Sequence, residues 1–191
     1  MLVRRAIILI TLQLLFSSAF AATLGVRYGF DFGGDTLAKL NYTNGWSDTL
    51  TAGGGEHLEI GLEFNTPLLQ SKHLSTELSI GHKYHFIAAS NFEADFERYS
   101  ASIVQYYNRT NPRIGIGATR HFLGKYQQKG SLAPNGHSNI NISHGLIFLV
   151  DYQFRRSFRF GSRVTLLNYT DYGQRIEADS VGFFISYQFK N

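Results

Sequence analysis

The chain has no cysteine and only three prolines among its 191 residues. Without cysteine no disulfide framework can hold it, so stability has to come from hydrogen bonding and packing. Scarce proline, with 15% aromatic residues and 19 glycines, favours long β-strands. No linker, low-complexity tract or helical heptad occurs. A basic stripe is missing too: the formal charge is +4 and Lys and Arg are scattered among nearly as many acids, which argues against a nucleic-acid binder.

What is there begins with a leader. Met1 to Arg5 carries two arginines, Ala6 to Phe16 is an uncharged apolar run too short for a spanning helix, and Ala19-Phe20-Ala21 is a small-x-small cleavage pattern. Residues 1–21 are therefore expected to be a signal peptide for the Sec route, since the Arg4-Arg5 pair lacks twin-arginine context. Residues 22–191 remain as one domain of about 170 residues with a charge of +2.

The mature chain alternates with period two. Leu24, Val26, Tyr28, Phe30 and Phe32 oppose Gly25, Arg27, Gly29 and Asp31, and Leu58, Ile60, Leu62 and Phe64 oppose His57, Glu59, Gly61 and Glu63. From Leu74 to Phe86 an apolar face opposes Ser75, Glu77, Ser79, Gly81, Lys83 and His85. Arg98–Tyr107, Arg113–Phe122, Gly145–Phe154, Phe158–Tyr169 and Ser180–Phe189 complete eight strands, each about long enough to cross a tilted bilayer path. The connections alternate in length: long at Gly33–Glu56 and Leu123–Ile142, short at Asn108–Pro112 and Arg155–Ser157, with an intermediate stretch after Phe86 and after Tyr169, although Asn65–His73 is long for a turn. Bacterial barrels pair short periplasmic turns with long extracellular loops, so both termini are expected in the periplasm.

The fold class predicted is all-β: a closed, antiparallel, eight-stranded transmembrane barrel. The ending, with Gly182 and then Tyr187 and Phe189 spaced by two, resembles the terminal signal that the barrel-assembly machinery reads, although Lys190 and Asn191 follow it. In pattern the whole mature chain resembles small barrels of the outer membrane protein A, X and W types. That resemblance implies a Gram-negative outer membrane, contact with outer-membrane lipid and lipopolysaccharide, and a monomer. A soluble exported barrel also alternates, but here it would have to enclose Tyr, Phe and Leu from every strand, and an eight-stranded interior has room only for side chains or one small ligand. The polar face gathers Arg27, Lys83, Arg98, Arg113, Arg159 and Arg163 with Asp31, Glu59, Glu63, Glu77 and Asp151, six cations against five anions. Enclosed, they form an interior polar network that plugs the lumen. A narrow pore gated by rearranged pairs is the alternative.

Other chemistry is thin. His57, His85 and His121 face inward by parity, but strand five lies across the barrel from strands two and three and no HxH or HxxxH spacing occurs, so no metal site is expected. Gly53-Gly54-Gly55 is no phosphate cradle, lacking a following helix and Lys-Ser or Lys-Thr, and no cofactor is expected. With Gly33-Gly34 and Trp46 it reads as a flexible, partly apolar loop suited to a surface contact or a lid. The last hairpin, Phe160-Gly161-Ser162-Arg163 and Asp179-Ser180-Val181-Gly182, resembles the lipid A deacylase family in outline. That family carries His-x-Ser on its seventh strand, where this chain has Val164-Thr165-Leu166-Leu167-Asn168-Tyr169-Thr170 and no histidine. A serine nucleophile needs an adjacent base. No catalytic residue is assigned, and the expectation is a non-enzymatic barrel with a structural or surface-contact role through its loops.

Overall fold

A computed structural model describes residues 22–43, 45–65, 73–130, 136–140, 143–171 and 174–189. Residues 1–21, expected as a signal peptide, and Asn135 and Lys190-Asn191 lie outside these residues. The elements are β1 (Thr23–Phe32), β2 (Thr36–Asn41), β3 (Ser47–Thr51), β4 (Gly55–Asn65), β5 (Leu74–Ala89), β6 (Phe92–Tyr107), β7 (Arg113–Gly130), β8 (Gly136–Ile140), β9 (Ser143–Gln153), β10 (Phe158–Asp171), β11 (Gln174–Glu177) and β12 (Ser180–Phe189). Eight of them, β1, β4, β5, β6, β7, β9, β10 and β12, pair antiparallel in that order, and β12 returns to β1. Closure leaves the spanning strands no free edge in lipid. Register partners followed around the ring from Thr23 return to β1 at the level of Gly33, ten residues further along. Such a stagger requires strands tilted by roughly 35–45°.

Burial is inverted relative to a water-soluble barrel. Ile80 is 66% and Phe183 63% exposed, whereas Arg98 and Asp151 are at most 1% exposed. Parity explains it: the outward faces of the strands carry the aliphatics that lipid covers, with Arg120 of β7 as a charged exception, and the inward faces carry the network charges. Aromatic rings collect on the outward face at both ends of this apolar belt. Phe158, Tyr187 and Phe189 meet at centroid distances of 4.9 Å at one end, and Tyr84 stacks on Phe86 and Tyr99 on Phe122 at the other.

The three longest strands run well past the ends that the alternation predicts. β5 and β6 have 16 residues each and β7 has 18, against the roughly 9–11 that cross a bilayer. The stretch after Phe86, expected as a connection, is mostly strand, with only Ser90 and Asn91 in the turn. In this projection the polarity reverses. Glu93, Asp95 and Glu97 of β6 now point outward beside Lys125 and Lys129 of β7, while Ile87, Ala94 and Phe96 point in. On β7 a bulge accompanies the change: Leu123 adopts φ 53°, and the β6 step from Glu97 to Tyr99 spans Phe122 to Lys125 opposite.

The connections are structured as well. The first contains the β2–β3 hairpin, β8 adds to β7 within the third, and β11 pairs with β10 within the fourth. Leu50, Ala52, Ile87, Ala94, Phe96, Ile140, Leu167, Tyr169 and Ala178 form one buried cluster here, with Leu37, Ala38 and Leu40 of the hairpin packed against it. Above the belt the molecule thus has an apolar core inside and charge outside, as water demands.

Candidate functional site: a charged lumen beneath an apolar lid

The parity of each strand turns its charged residues inward, and the register fixes which of them meet. Arg27 of β1 donates to Glu59 of β4 at 2.7 Å, to Glu77 of β5 at 2.9 Å and to the hydroxyl oxygen of Tyr106 at 3.1 Å. Arg113 of β7 donates to Asp151 and to Glu63, both at 2.8 Å, and Arg159 shares Asp151 at 3.1 Å. Glu63 accepts further bonds from Ser75 and Gln188, each at 2.7 Å. Nearer the hairpin, Asp31 takes Arg163 at 2.5 Å and Lys83 at 2.7 Å, while the other arm of Arg163 reaches Glu59. Glu59 thereby links the Arg27 group to the Arg163 group, while Arg113 and Arg159 with Glu63 and Asp151 form a separate set.

Arg98 stands apart. Among the described residues no carboxylate lies within ion-pair distance of it; instead it donates to the carbonyl of Gly54 at 2.7 Å and stacks on the Phe96 ring at 4.4 Å. Lys83 likewise donates to the carbonyl of Gly53 at 2.5 Å. Two buried cations therefore grip the return of the first loop and hold its hairpin over the lumen.

The glycines of that loop serve close approach, which corrects the expectation of a flexible segment. A side chain at Gly53 would start 2.5 Å from the carbonyl of Asp179, and Gly33, with φ 120°, lies 2.7 Å from the same oxygen by the same measure. Backbone bonds from Asp35 to Glu177 and from Gly53 to Gly33 tie the first loop to itself and to the fourth. Gly182 has a comparable reason to lack a side chain: a Cβ there would fall 1.7 Å from Oδ1 of Asp31, its register partner. Tyr187 and Phe189 point outward at the far end of β12.

The lumen also holds apolar groups. Val104, Tyr106, Ile147, Leu149 and Phe184 pack together inside it, with Arg27 over Phe184 at 4.7 Å and Arg113 over Tyr106 at 3.8 Å. The charges share the interior with this cluster instead of replacing an apolar core. Tyr106, Ser75 and Gln188 are network members that charge-based reading passed over; their parity, matching Arg98, Glu77 and Ser186, was the available signal. Two cavities of about 20 and 10 Å³ lie among these residues, each room for about one water.

The histidines have separate partners. His57 places Nδ1 3.4 Å from Asp31, Nδ1 of His121 lies 2.7 Å from the Tyr169 hydroxyl, and Nδ1 of His85 is 3.2 Å from the amide of Thr51. His82 and His144 face outward, His82 against Glu97 at 2.9 Å and His144 opposite Arg120 in the register. On β10, Ser162 lies between Val150 and Phe183. No histidine is its register partner.

No family model matches the chain, and no curated protein matches it in sequence. Solved structures do match in shape. Neisserial surface protein A superimposes with a TM-score of 0.55 at 11% identity, over 88% of this chain and 97% of that one. Ail, the attachment invasion locus protein of Yersinia pestis, superimposes with a TM-score of 0.50 at 9% identity over the same shares. The fold of this chain is that of the small eight-stranded outer-membrane β-barrels.

Proposed function

We propose that this protein is exported, embedded in the outer membrane as a monomer, and works there without catalysis by presenting a rigid extracellular surface for contact. The closed mouth carries this reading. The β2–β3 hairpin sits in an apolar core directly above a lumen filled by ion pairs, so the surfaces left for function are the outward and upper ones. The hairpin tip bears Trp46, 75% exposed, and the wall beside it bears the Glu93–Lys129 pair at 3.5 Å. Ail, a barrel of similar shape, has been crystallised in complex with the heparin analogue sucrose octasulfate, which supports ligand contact by such a scaffold.

Export is inferred from Arg4, Arg5 and the Ala19-Phe20-Ala21 pattern. Gly182, Tyr187 and Phe189 are offered as the signal read by the barrel-assembly machinery, and the outward aliphatics as the surface that lipid and lipopolysaccharide surround. The test has two arms. Purified protein in a planar bilayer should give no channel conductance, and steady openings would overturn the closed-lumen reading. A peptide tag after Gly45, where a Cβ meets nothing within 4 Å, should be labelled on intact cells, and one after Arg109 only after permeabilisation. The reverse pattern would invert the orientation.

A further inference from the structure

The barrel end where β1 begins and β12 ends has a second charged feature, open to water. A hollow of about 500 Å³ lies between the turns at 108–112 and 154–157, lined by Arg109, Arg113, Arg155, Arg156, Arg159 and Phe154 among others, with no carboxylate in its wall. Arg113 and Arg159 are already paired with Glu63 and Asp151. Arg109, Arg155 and Arg156 are exposed and have no ion pair among the described residues. Three guanidinium groups are thus left facing one hollow.

Its walls are fixed. The side-chain amide of Asn111 donates to the carbonyl of Gln153 at 3.0 Å and accepts from the Gln153 amide at 2.9 Å, and the Gln153 side chain donates to the carbonyl of Arg156 at 3.0 Å. The two turns therefore hold one shape together. Phe154, in the same wall, packs 5.9 Å from Phe158 and 5.9 Å from Phe160, rings of the outward aromatic girdle. The hollow accordingly runs from the lumen-facing Arg113 and Arg159 to Phe154, which borders the lipid face.

We propose that this hollow binds the phosphodiester headgroup of an anionic phospholipid in the adjoining leaflet, with Arg109, Arg155 and Arg156 on the phosphate and Phe154 along the first part of an acyl chain. Planar guanidinium forks match phosphate oxygens in geometry as well as charge. The aromatic wall distinguishes a lipid from a free anion, which would gain nothing from Phe154. The assignment rests on the membrane reading of the barrel and is independent of what the extracellular loops contact; a heat-modifiable gel shift in micelles checks that reading on its own.

Native mass spectrometry of the refolded protein, with phosphatidylglycerol competing against phosphatidylcholine, tests it. Three cations near an anionic headgroup should favour the anionic lipid by on the order of 100-fold. Replacing Arg109, Arg155 and Arg156 together by serine should abolish the preference, while serine at Lys125, Lys129 and Arg175, at the opposite end, should leave it. A preference unchanged in the first variant overturns the proposal. So does displacement of the lipid by inorganic phosphate at equal concentration, which would mark a free-anion site. A measurement on the unaltered protein needs no variant to fold: phosphatidylglycerol should shift the amide resonances of Asn111 and Gln153, and their indifference refutes the site.

Discussion

Neutralising Asp31 should unsettle the lumen more than any other isosteric change. Its carboxylate is buried and accepts from Arg163 at 2.5 and 3.1 Å and from Lys83 at 2.7 Å, with His57 at 3.4 Å. Asp31→Asn keeps the shape and removes the charge, leaving six cations against four anions among the network residues named above. Removing one partner of a buried pair costs about 3–5 kcal/mol, because the other charge stays buried. The cost should fall within that range and not beyond it, since Arg163 keeps Glu59 and Lys83 keeps the Gly53 carbonyl. Adding Lys83→Met removes one stranded cation, at the expense of the Gly53 bond, worth about 1 kcal/mol. The double variant should therefore recover roughly 2 kcal/mol, a coupling well above the additivity error of about 0.5 kcal/mol. Reversible denaturant unfolding in micelles, followed by far-ultraviolet circular dichroism, is the assay; the single tryptophan, Trp46, sits on the exposed hairpin and reports poorly on the lumen. A loss under about 1 kcal/mol for Asp31→Asn, or a strictly additive double variant, would mean the charges are separately hydrated and the network is uncoupled.

Leu62→Arg, on the outward face in mid-strand, should cost about 2–4 kcal/mol, far more than Gly61→Ser, whose Cβ meets the Glu77 side chain at 3.2 Å and Ser79 at 3.4 Å, close contacts that a shift of a few tenths of an ångström relieves. Equal or reversed losses on denaturant unfolding would mean the faces are inverted. Gly182→Ala should lower folded yield and cost about 1–3 kcal/mol or more, because its methyl would displace the Asp31 carboxylate from Arg163; a neutral effect in the gel-shift assay would refute that packing. Overproduction should leave the acyl pattern of lipid A unchanged, since Ser162 has Val150 and Phe183 as register partners and no base beside it. Loss of one acyl chain only in the producing strain, seen by mass spectrometry, would restore the deacylase reading.

The spanning parts were legible because lipid imposes one rule on every strand. Leu24 to Phe32 alternates without interruption, and β1 is observed from Thr23 to Phe32. β12 is observed over the same Ser180–Phe189 that alternation marks. The projecting parts were not legible, although their alternation is just as regular. In β6 the residues Phe92, Ala94 and Phe96 share parity with Arg98 and Ser100, and all turn inward. Apolar residues lie outward below Arg98 and inward above it, so a search for one apolar face ends where the solvent changes. β7 hides its continuation differently, because the extra residue at Leu123 shifts the parity of everything after it.

That reversal is the most informative feature of the chain. A strand with its apolar residues outward is stable only in lipid, and one with them inward only in water, so the change of sign between Glu97 and Tyr99 locates the membrane surface on β6. The outward carboxylates of Glu93, Asp95 and Glu97 stand above that level, and the Tyr99–Phe122 stack stands at it. The same logic accounts for the glycine-rich first loop. A projection with an apolar interior needs a cover from water, and the cover can descend only if its return segment passes close to the fourth loop, which Gly33 and Gly53 permit. Composition suggested slack at those glycines; contact with Ala178 and Asp179 shows they are where the lid fits most tightly. Any partner therefore meets a folded, water-facing extension of the barrel wall, and the charges beneath it, gripping Gly53 and Gly54 through Lys83 and Arg98, are what fasten that surface to the membrane domain.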